Sequence, residues 1–150
     1  MSKPEVSIYT DGACRRNPGP GGWAALLEWQ GKSKEISGGE KLTTNNRMEM
    51  RAIIEALRTL KKPCSVRIYS DSALIINTFN KGWLRNWQRR NWIKSDKKPV
   101  ENKDLWQEML TVMDDHTITW IKVKGHSTDI RNNLVDELAV NESKKFLDEF

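Results

Sequence analysis

The sequence predicts an α/β domain in which a mixed five-stranded sheet carries helices on its faces. Strand-like periodicity in three consecutive segments precedes the first helical pattern, and helices separate two later strands. With 150 residues, the chain is long enough for one domain with a substantial core, so residues 1–150 are expected to form a single domain. Hydrophobic residues make up 37% of the chain and charged residues 30%, which is typical of globular proteins.

The first part of the chain is rich in strand signals. Residues 6–11 alternate apolar and polar side chains, which predicts a first strand that ends at Asp11. The glycine- and proline-rich run 12–22 predicts a turn. Residues 23–29 then predict a buried second strand and residues 34–40 a third strand at an edge. We expect these three strands to form an antiparallel meander.

A helix follows the third strand. Asn46 and Glu49 have the spacing of a capping box, and Ile53 and Leu57 lie on one apolar helix face. Glu49 precedes Ile53 by four residues, so it lies on or beside that buried face. Glu49 is therefore either a helix cap or an acid that points inward. Pro63 is expected to end the helix.

Residues 66–70 predict a fourth strand that leads to Asp71, and Ser72 is expected to cap the helix that follows. The remaining predicted elements are a helix that begins near residue 102, a strand over 117–123 and a last helix over 133–147. Asp136 falls in the first turn of that last helix. A carboxylate there either only complements the helix dipole or joins other acids in a site.

The pattern Ile-Tyr-x-Asp occurs twice, ending at Asp11 and at Asp71. If the two strands are parallel neighbours, their ends lie ~4.8 Å apart. Two carboxylates at ~4 Å repel by roughly 4 kcal/mol at an effective dielectric constant near 20, and a divalent cation is the simplest reason to accept that cost. With Glu49 and Asp136 they would form an all-carboxylate site for a hard cation such as Mg²⁺ or Mn²⁺, which suits phosphodiester hydrolysis.

The segment 82–99 combines tryptophans with six basic residues and one acid. Trp83 and Trp87 are one helical turn apart, and Arg85 and Arg89 lie on the opposite side of the same helix. The segment is either a surface helix held down by tryptophans or an arm that binds phosphates. The net charge of +5 permits a polyanionic partner.

Other features exclude several classes of protein. No apolar run approaches the ~20 residues of a membrane span, and the N-terminus lacks the apolar core of a secretory signal. Cys14 and Cys64 match no metal-binding spacing. We therefore expect a protein of the reducing cytoplasm without a disulfide and without a membrane partner.

Several motifs together resemble type 1 ribonuclease H of the bacterial kind, in order and with compatible spacing from about Glu5 to Asn141. They are Thr10-Asp11-Gly12, residues 17–22, residues 43–49, Ser70-Asp71-Ser72, residues 97–100, Asp104-Leu105-Trp106, residues 123–126 and residues 136–139. The resemblance implies a ribonuclease H-like fold and an endonuclease that hydrolyses the RNA strand of RNA/DNA hybrids. It further implies 3′-hydroxyl and 5′-phosphate ends, little sequence specificity, and roles in primer and R-loop removal.

The resemblance also implies residue roles, an Mg²⁺ cofactor for which Mn²⁺ can substitute, and a monomer. The metal-binding acids of the family fall on Asp11, Glu49, Asp71 and Asp136, and its mobile histidine, which transfers a proton or aids product release, falls on His126. The phosphate-pocket threonine falls on Thr44, and the minor-groove and sugar contacts fall on Cys14, Asn17, Asn45 and Asn46. The basic protrusion that grips the DNA strand corresponds to Trp83, Arg85, Trp87, Arg89 and Arg90.

The chain departs from the family pattern in three places. Ala73 stands where bacterial members often carry glutamine, so one amide contact to a base is expected to be missing. Arg15 and Arg16 place two cations beside the first acid. The loop 127–132 differs from the commonest pattern around His126.

Three other functions compete with this interpretation. A 3′–5′ exonuclease or DNA-strand transferase of the same fold group is disfavoured by the glycine-rich hairpin and the basic arm. A catalytically silent hybrid-binding module would gain nothing from clustered negative charge. A haloacid-type phosphatase needs a second aspartate where Ala13 stands.

Overall fold

The computed structural model describes residues 3–124 and 129–146. Five strands and five helices follow one another in these ranges: β1 (Glu5–Cys14), β2 (Gly19–Trp29), β3 (Lys32–Thr43), α1 (Asn45–Arg58), β4 (Ser65–Ser70), α2 (Ala73–Asn80), α3 (Trp83–Arg89), α4 (Lys103–Met113), β5 (Thr117–Lys122) and α5 (Ile130–Lys144). None of these helices is both long and apolar enough to cross a membrane.

The strands form one mixed sheet in the order β3-β2-β1-β4-β5. β1, β2 and β3 pair in antiparallel fashion, and β4 lies parallel to both β1 and β5. The predicted fold class is therefore confirmed. This topology places β1 at the centre of the sheet, where the antiparallel meander meets the parallel strands. Ligands in α/β sheets gather beyond the carboxyl ends of the parallel strands.

Strand alternation divides the core between the two faces of the sheet. Ile8 of β1 points into the larger cluster, where it is buried with Ile53 of α1 and Trp106 of α4. Its neighbour Tyr9 points to the opposite face, which α5 covers. The central strand is thus buried on both faces, and this holds its end in a defined position.

The β1–β2 hairpin is longer than the glycine-rich run predicts. β1 continues to Cys14 and β2 begins at Gly19, so only residues 15–18 form the turn. Gly22 pairs with Ala13 and lies against α5, where an added Cβ would overlap the carbonyl oxygen of Ala139. The prediction of a turn over the whole run is wrong, because glycines of the run lie within strands, where they let a helix pack closely.

Two predicted helix starts are wrong. α1 is capped by Thr44, whose hydroxyl accepts a hydrogen bond from the Arg47 amide at 3.3 Å, so Asn46 lies inside the helix and forms no capping box with Glu49. α5 begins at Ile130 behind an Asp129 cap, which places Asp136 nearly two turns inside the helix, too far in for the predicted dipole role. The predicted Ser72 cap of α2 is confirmed, because its hydroxyl accepts from the Ile75 amide at 3.3 Å.

The face of α5 that packs on the sheet carries mostly small side chains. Leu134 and Leu138 are only half-buried, whereas Val135, Ala139 and Ser143 face the sheet. Small side chains occupy this face because the glycines of β2 let the helix backbone approach closely.

Candidate metal and active site

Sheet pairing brings Asp11 and Asp71 together. The parallel register of β1 and β4 ends at the pair Tyr9 and Tyr69, and each aspartate lies two residues beyond that pair. The aspartates therefore lie just beyond the same end of the parallel register, on equivalent positions of neighbouring strands. Asp11 is further oriented by the amide of Gly12, which donates to its Oδ1 at 2.9 Å.

Glu49 reaches the same edge from α1. Gly12 allows this approach, because a Cβ there would lie 2.5 Å from the Glu49 amide nitrogen. The Glu49 side chain is buried, with 4% of its surface exposed. Ligand oxygens of Asp11, Glu49 and Asp71 all lie within 4.8 Å of one another. The helix thus delivers a third carboxylate to the pair that the strands create.

Asp136 approaches from α5, on the more open side of the cluster. It is exposed and lines a small pocket together with Asp11 and Asp71. Thr10, Val123, Lys124, Asn132, Asn133 and Val135 line the rest of that pocket. The structure therefore brings together all four predicted acids, three of them within ligand distance of one another.

The electrostatics of the cluster show how unfavourable it is without a cation. Burial, together with the negative charge of Asp71 and contact with Asp136, raises the pKa of Asp11 to about 7. Burial, followed by the charges of Asp11 and Asp71, raises the pKa of Glu49 well above its ordinary value. A positive ion among these carboxylates would favour their ionised forms.

The cluster fits a hard divalent cation. Within the described ranges, the buried Oε2 of Glu49 has no hydrogen-bond partner, which is uncommon for a buried carboxylate oxygen. The donors are carboxylate oxygens, which suit Mg²⁺, Mn²⁺ or Ca²⁺ better than Zn²⁺. A cation bound by Asp11, Glu49 and Asp71 would satisfy the unpaired oxygen. That these acids are metal ligands stays a prediction.

The fifth predicted catalytic residue, His126, lies outside the described residues. Among the described residues, Lys124 and Asn132 line the acid pocket.

The predicted substrate contacts lie around the β1–β2 turn and the start of α1. The amide of Asn45 donates to Oδ1 of Asn17 at 3.1 Å, which joins the turn to the helix. The Cys14 thiol donates to the carbonyl oxygen of Thr43 at 3.4 Å, next to Thr44. Asn46 is exposed on the first turn of α1. These residues share one surface, and their contact with substrate stays a prediction.

The tryptophans of the segment 82–99 anchor it to the core, while its binding of phosphates stays a prediction. Trp87 packs against the buried Trp106, with ring centroids 5.7 Å apart, and Trp83 is half-buried. The side chains on the opposite side of α3 and at its end are exposed; they are Arg85, Arg89 and Arg90. The tryptophans hold the segment to the core, and this leaves a basic face open to solvent.

The functional reading of the sequence missed an ion pair that ties α1 to α4. Arg47 binds both carboxylate oxygens of Asp104, at 3.0 and 2.8 Å, and it also donates to Oδ1 of Asn102 at 3.2 Å. Arg47 follows the α1 cap by three residues and precedes Glu49 by two, so the pair steadies the turn that carries Glu49. Both partners lie within the motifs that resemble ribonuclease H, and that was the available signal.

A second missed contact anchors the start of α5. The guanidinium of Arg131 binds Oε1 of Glu28 at 2.6 Å and lies 5.5 Å from the centroid of the Tyr9 ring. Tyr9 stacks on Tyr69 at 4.4 Å. A cation in the first turn of a helix opposes the helix dipole, so these contacts outweigh that cost. They connect the helix that carries Asp136 to the strands that lead to Asp11 and Asp71.

We expect Arg131→Ala to weaken divalent-cation binding by up to about tenfold, the lower end of effects for groups that orient metal ligands. The reason is that α5 would lose a link to β1 and β2. The measurement is the Mg²⁺ dependence of the melting temperature. The exchanged pair Glu28→Arg with Arg131→Glu should recover part of the loss. A lower melting temperature with an unchanged Mg²⁺ midpoint would contradict this positioning role.

Comparisons with known proteins agree with this architecture. The sequence model of the RNase H family matches residues 3–144. A ribonuclease H from Caldanaerobacter subterraneus subsp. tengcongensis is 61% identical over 144 residues, which cover 96% of this chain and 94% of the relative. One from Moorella thermoacetica is 58% identical over 135 residues, covering 90% of this chain and 89% of the relative.

Solved structures show the same fold. LC9-RNase H1, described as a type 1 RNase H with the type 2 active-site motif, superposes with a TM-score of 0.86 at 30% identity, over 97% of this chain and 74% of that chain. LC11-RNase H1, solved in complex with an RNA/DNA hybrid, gives a TM-score of 0.72 at 24% identity, over 95% of this chain and 99% of that chain. Since the family model spans most of the sequence and the relatives are matched over nearly their whole length, this chain belongs to the ribonuclease H family.

Proposed function

We propose that Asp11, Glu49, Asp71 and Asp136 hold the divalent cations with which this chain cleaves RNA. As a ribonuclease H, the chain is an endoribonuclease that cleaves the RNA strand of RNA/DNA hybrids. The observation that carries the metal assignment is the group of three carboxylates within 4.8 Å, one of which keeps a buried, unpaired oxygen.

The chemistry divides between the ions and the chain. Bound Mg²⁺, with Mn²⁺ as a substitute, would activate the attacking water and stabilise the leaving oxygen, and two ions suit the four acids. Glu49 holds its carboxylate rigidly, because α1 buries it against the sheet. Asp136 faces the open side, where substrate enters. We assign His126 to proton transfer or product release, and the products are 3′-hydroxyl and 5′-phosphate ends.

Recognition of the hybrid follows from two surfaces on either side of the acids. Around the hairpin, the surface carries short polar groups that suit close approach to a minor groove and its 2′-hydroxyls. These groups belong to Cys14, Asn17, Thr44, Asn45 and Asn46. The exposed basic face of α3 supplies phosphate contacts to the DNA strand, with Trp83, Arg85, Trp87, Arg89 and Arg90. Backbone and groove contacts carry little sequence information, so sequence preference should be slight.

The cellular role follows from the substrate. We place the enzyme in the cytoplasm as a monomer of one domain over residues 1–150, where it removes RNA primers and R-loops. One sheet with helices on both faces supports a single domain. Unpaired Cys14 and Cys64 agree with a reducing compartment.

The test is cleavage of an end-labelled RNA/DNA hybrid beside matched duplex RNA and duplex DNA, with Mg²⁺, with Mn²⁺ and with a chelator. We expect internal cuts confined to the RNA strand of the hybrid, and none with chelator. Stepwise release of nucleotides from a DNA 3′ end would support the exonuclease alternative instead. Tight hybrid binding without any cleavage would identify a silent binding module.

A further inference from the structure

The β1–β2 turn carries two adjacent arginines that the fold itself does not use. Arg15 and Arg16 are exposed. In the part of the chain that the structure describes, neither guanidinium has a hydrogen bond or an acidic partner. Together with Pro18, Pro20, Lys41 and Leu42 they line a groove of about 810 Å³, here called the turn groove. Leu42 is 73% exposed, so the groove combines positive charge with an apolar wall.

The backbone that carries these arginines is held in place. The Arg15 amide donates to the Pro20 carbonyl oxygen at 2.9 Å, and the Cys14 thiol donates to the Arg16 carbonyl oxygen. Asn17 accepts from the Asn45 amide, which ties the turn to α1. The backbone that carries the two cations is therefore held in place before any ligand binds. Preorganised groups lose less entropy on binding than groups on a mobile loop.

The turn groove begins where β1, the strand that carries Asp11, ends at Cys14. Arg15 is four residues beyond Asp11, which corresponds to ~13 Å of extended strand. One strand of a duplex places a phosphate every ~3.4 Å along the helix axis. A duplex that is cut at the acids and runs along β1 would therefore bring phosphates about four nucleotides from the cut over the turn.

We propose that Arg15 and Arg16 bind phosphates of the RNA/DNA hybrid about four nucleotides from the cleavage position, with their aliphatic stems against the apolar wall of the turn groove. This inference rests on the proposed function. Two like charges side by side without an internal partner repel each other, and a polyanion is the ligand that removes that repulsion. Long arginine stems pack on apolar surface while their charged ends contact phosphate.

The test measures hybrid binding by fluorescence anisotropy between 50 and 200 mM KCl, in an Asp11→Asn background that preserves the substrate. We expect Arg15→Ala with Arg16→Ala to weaken binding at 50 mM KCl. Between 50 and 200 mM KCl, the affinity of the double variant should fall by a factor that is roughly ten times smaller than the factor for its parent. The reason is that each phosphate contact contributes about 0.9 to the logarithmic salt slope. In the active enzyme the same changes should raise KM and leave kcat unchanged.

Two further variants make the result decisive. Lys32→Ala with Lys34→Ala removes the same charge from exposed positions at the far end of β3 and should leave the salt slope unchanged. Arg15→Lys with Arg16→Lys should keep most of the slope. An alanine pair with the parent's affinity and slope would overturn the inference while hybrid cleavage by the parent still stood. Weaker binding at an unchanged slope would assign the effect to turn structure and overturn it as well.

Discussion

Replacing Asp11 with asparagine is expected to reduce RNA cleavage in Mg²⁺ by at least about a thousandfold, because the several kcal/mol that a metal ion contributes to the transition state would be lost. Asparagine keeps the shape of the side chain and can still accept from the Gly12 amide. The measurement is single-turnover cleavage of a hybrid. Glu35→Gln, an exposed change on β3, is the control and should cleave normally. Near wild-type turnover would remove Asp11 from the metal site.

The same substitution should leave the metal-free fold equally stable or more stable. Burial and nearby carboxylates raise the pKa of Asp11 to about 7 in the folded state, compared with ~3.9 in an unfolded chain. The folded protein therefore binds this proton more tightly, so the unfolding free energy should fall as pH rises from about 4 to about 7.

Urea unfolding in a chelator across this pH range measures the effect of removing the acid. In Asp11→Asn, the unfolding free energy should fall less steeply with rising pH. In Glu35→Gln, it should fall as steeply as in the wild type. Added Mg²⁺ should stabilise the wild-type protein above pH 7, where Asp11 is ionised, and should stabilise Asp11→Asn much less. A decline of equal slope in wild type and Asp11→Asn would mean that other groups cause it.

Gly12→Ala is expected to destabilise the fold by about 1–3 kcal/mol and to lower cleavage sharply. A Cβ at this position would lie 2.5 Å from the Glu49 amide nitrogen and 2.7 Å from the Met48 carbonyl carbon. Both are backbone atoms, so α1 itself would have to move and would carry Glu49 away from Asp11. Urea unfolding and Mg²⁺-dependent cleavage measure the two consequences.

Gly31→Asn provides the matched control. Gly31 has a positive φ of 75° at the tip of the β2–β3 turn, and nothing lies within 4 Å of an added Cβ. Asparagine tolerates this conformation, so stability and cleavage should both stay close to wild type. Wild-type stability and cleavage in Gly12→Ala would show that α1 can move without displacing Glu49.

Position 12 requires glycine for a reason that the local sequence does not reveal. In the sequence, Gly12 belongs to a glycine- and proline-rich run that predicts a turn. In the structure, the backbone of α1 occupies the space that a side chain at this position would need. That contact joins residues far apart in sequence, so no local pattern could have indicated it.

The predicted starts of α1 and α5 are wrong for a related reason. Thr44 and Asn46 are both good caps by residue type, and the hydrogen bond between Asn17 and Asn45 helps to place the start of α1 at Thr44. Near α5, Asn133 has the side chain of a cap, but the helix begins three residues earlier, where Arg131 binds Glu28 of β2. In both cases a contact with a residue distant in sequence accompanies a choice between caps of similar local strength.

The sequence by itself determined the order of elements and the mixed sheet, and it identified the four acids as candidates for one site. Strand periodicity and the repeated Ile-Tyr-x-Asp can both be recognised in the sequence without knowledge of the fold. Only the tertiary structure decided that Glu49 is a buried acid rather than a cap, and that Asp136 faces Asp11 from the middle of α5. Those positions depend on how closely helices pack on the glycines of β1 and β2, which is a property of backbone contacts across the sheet.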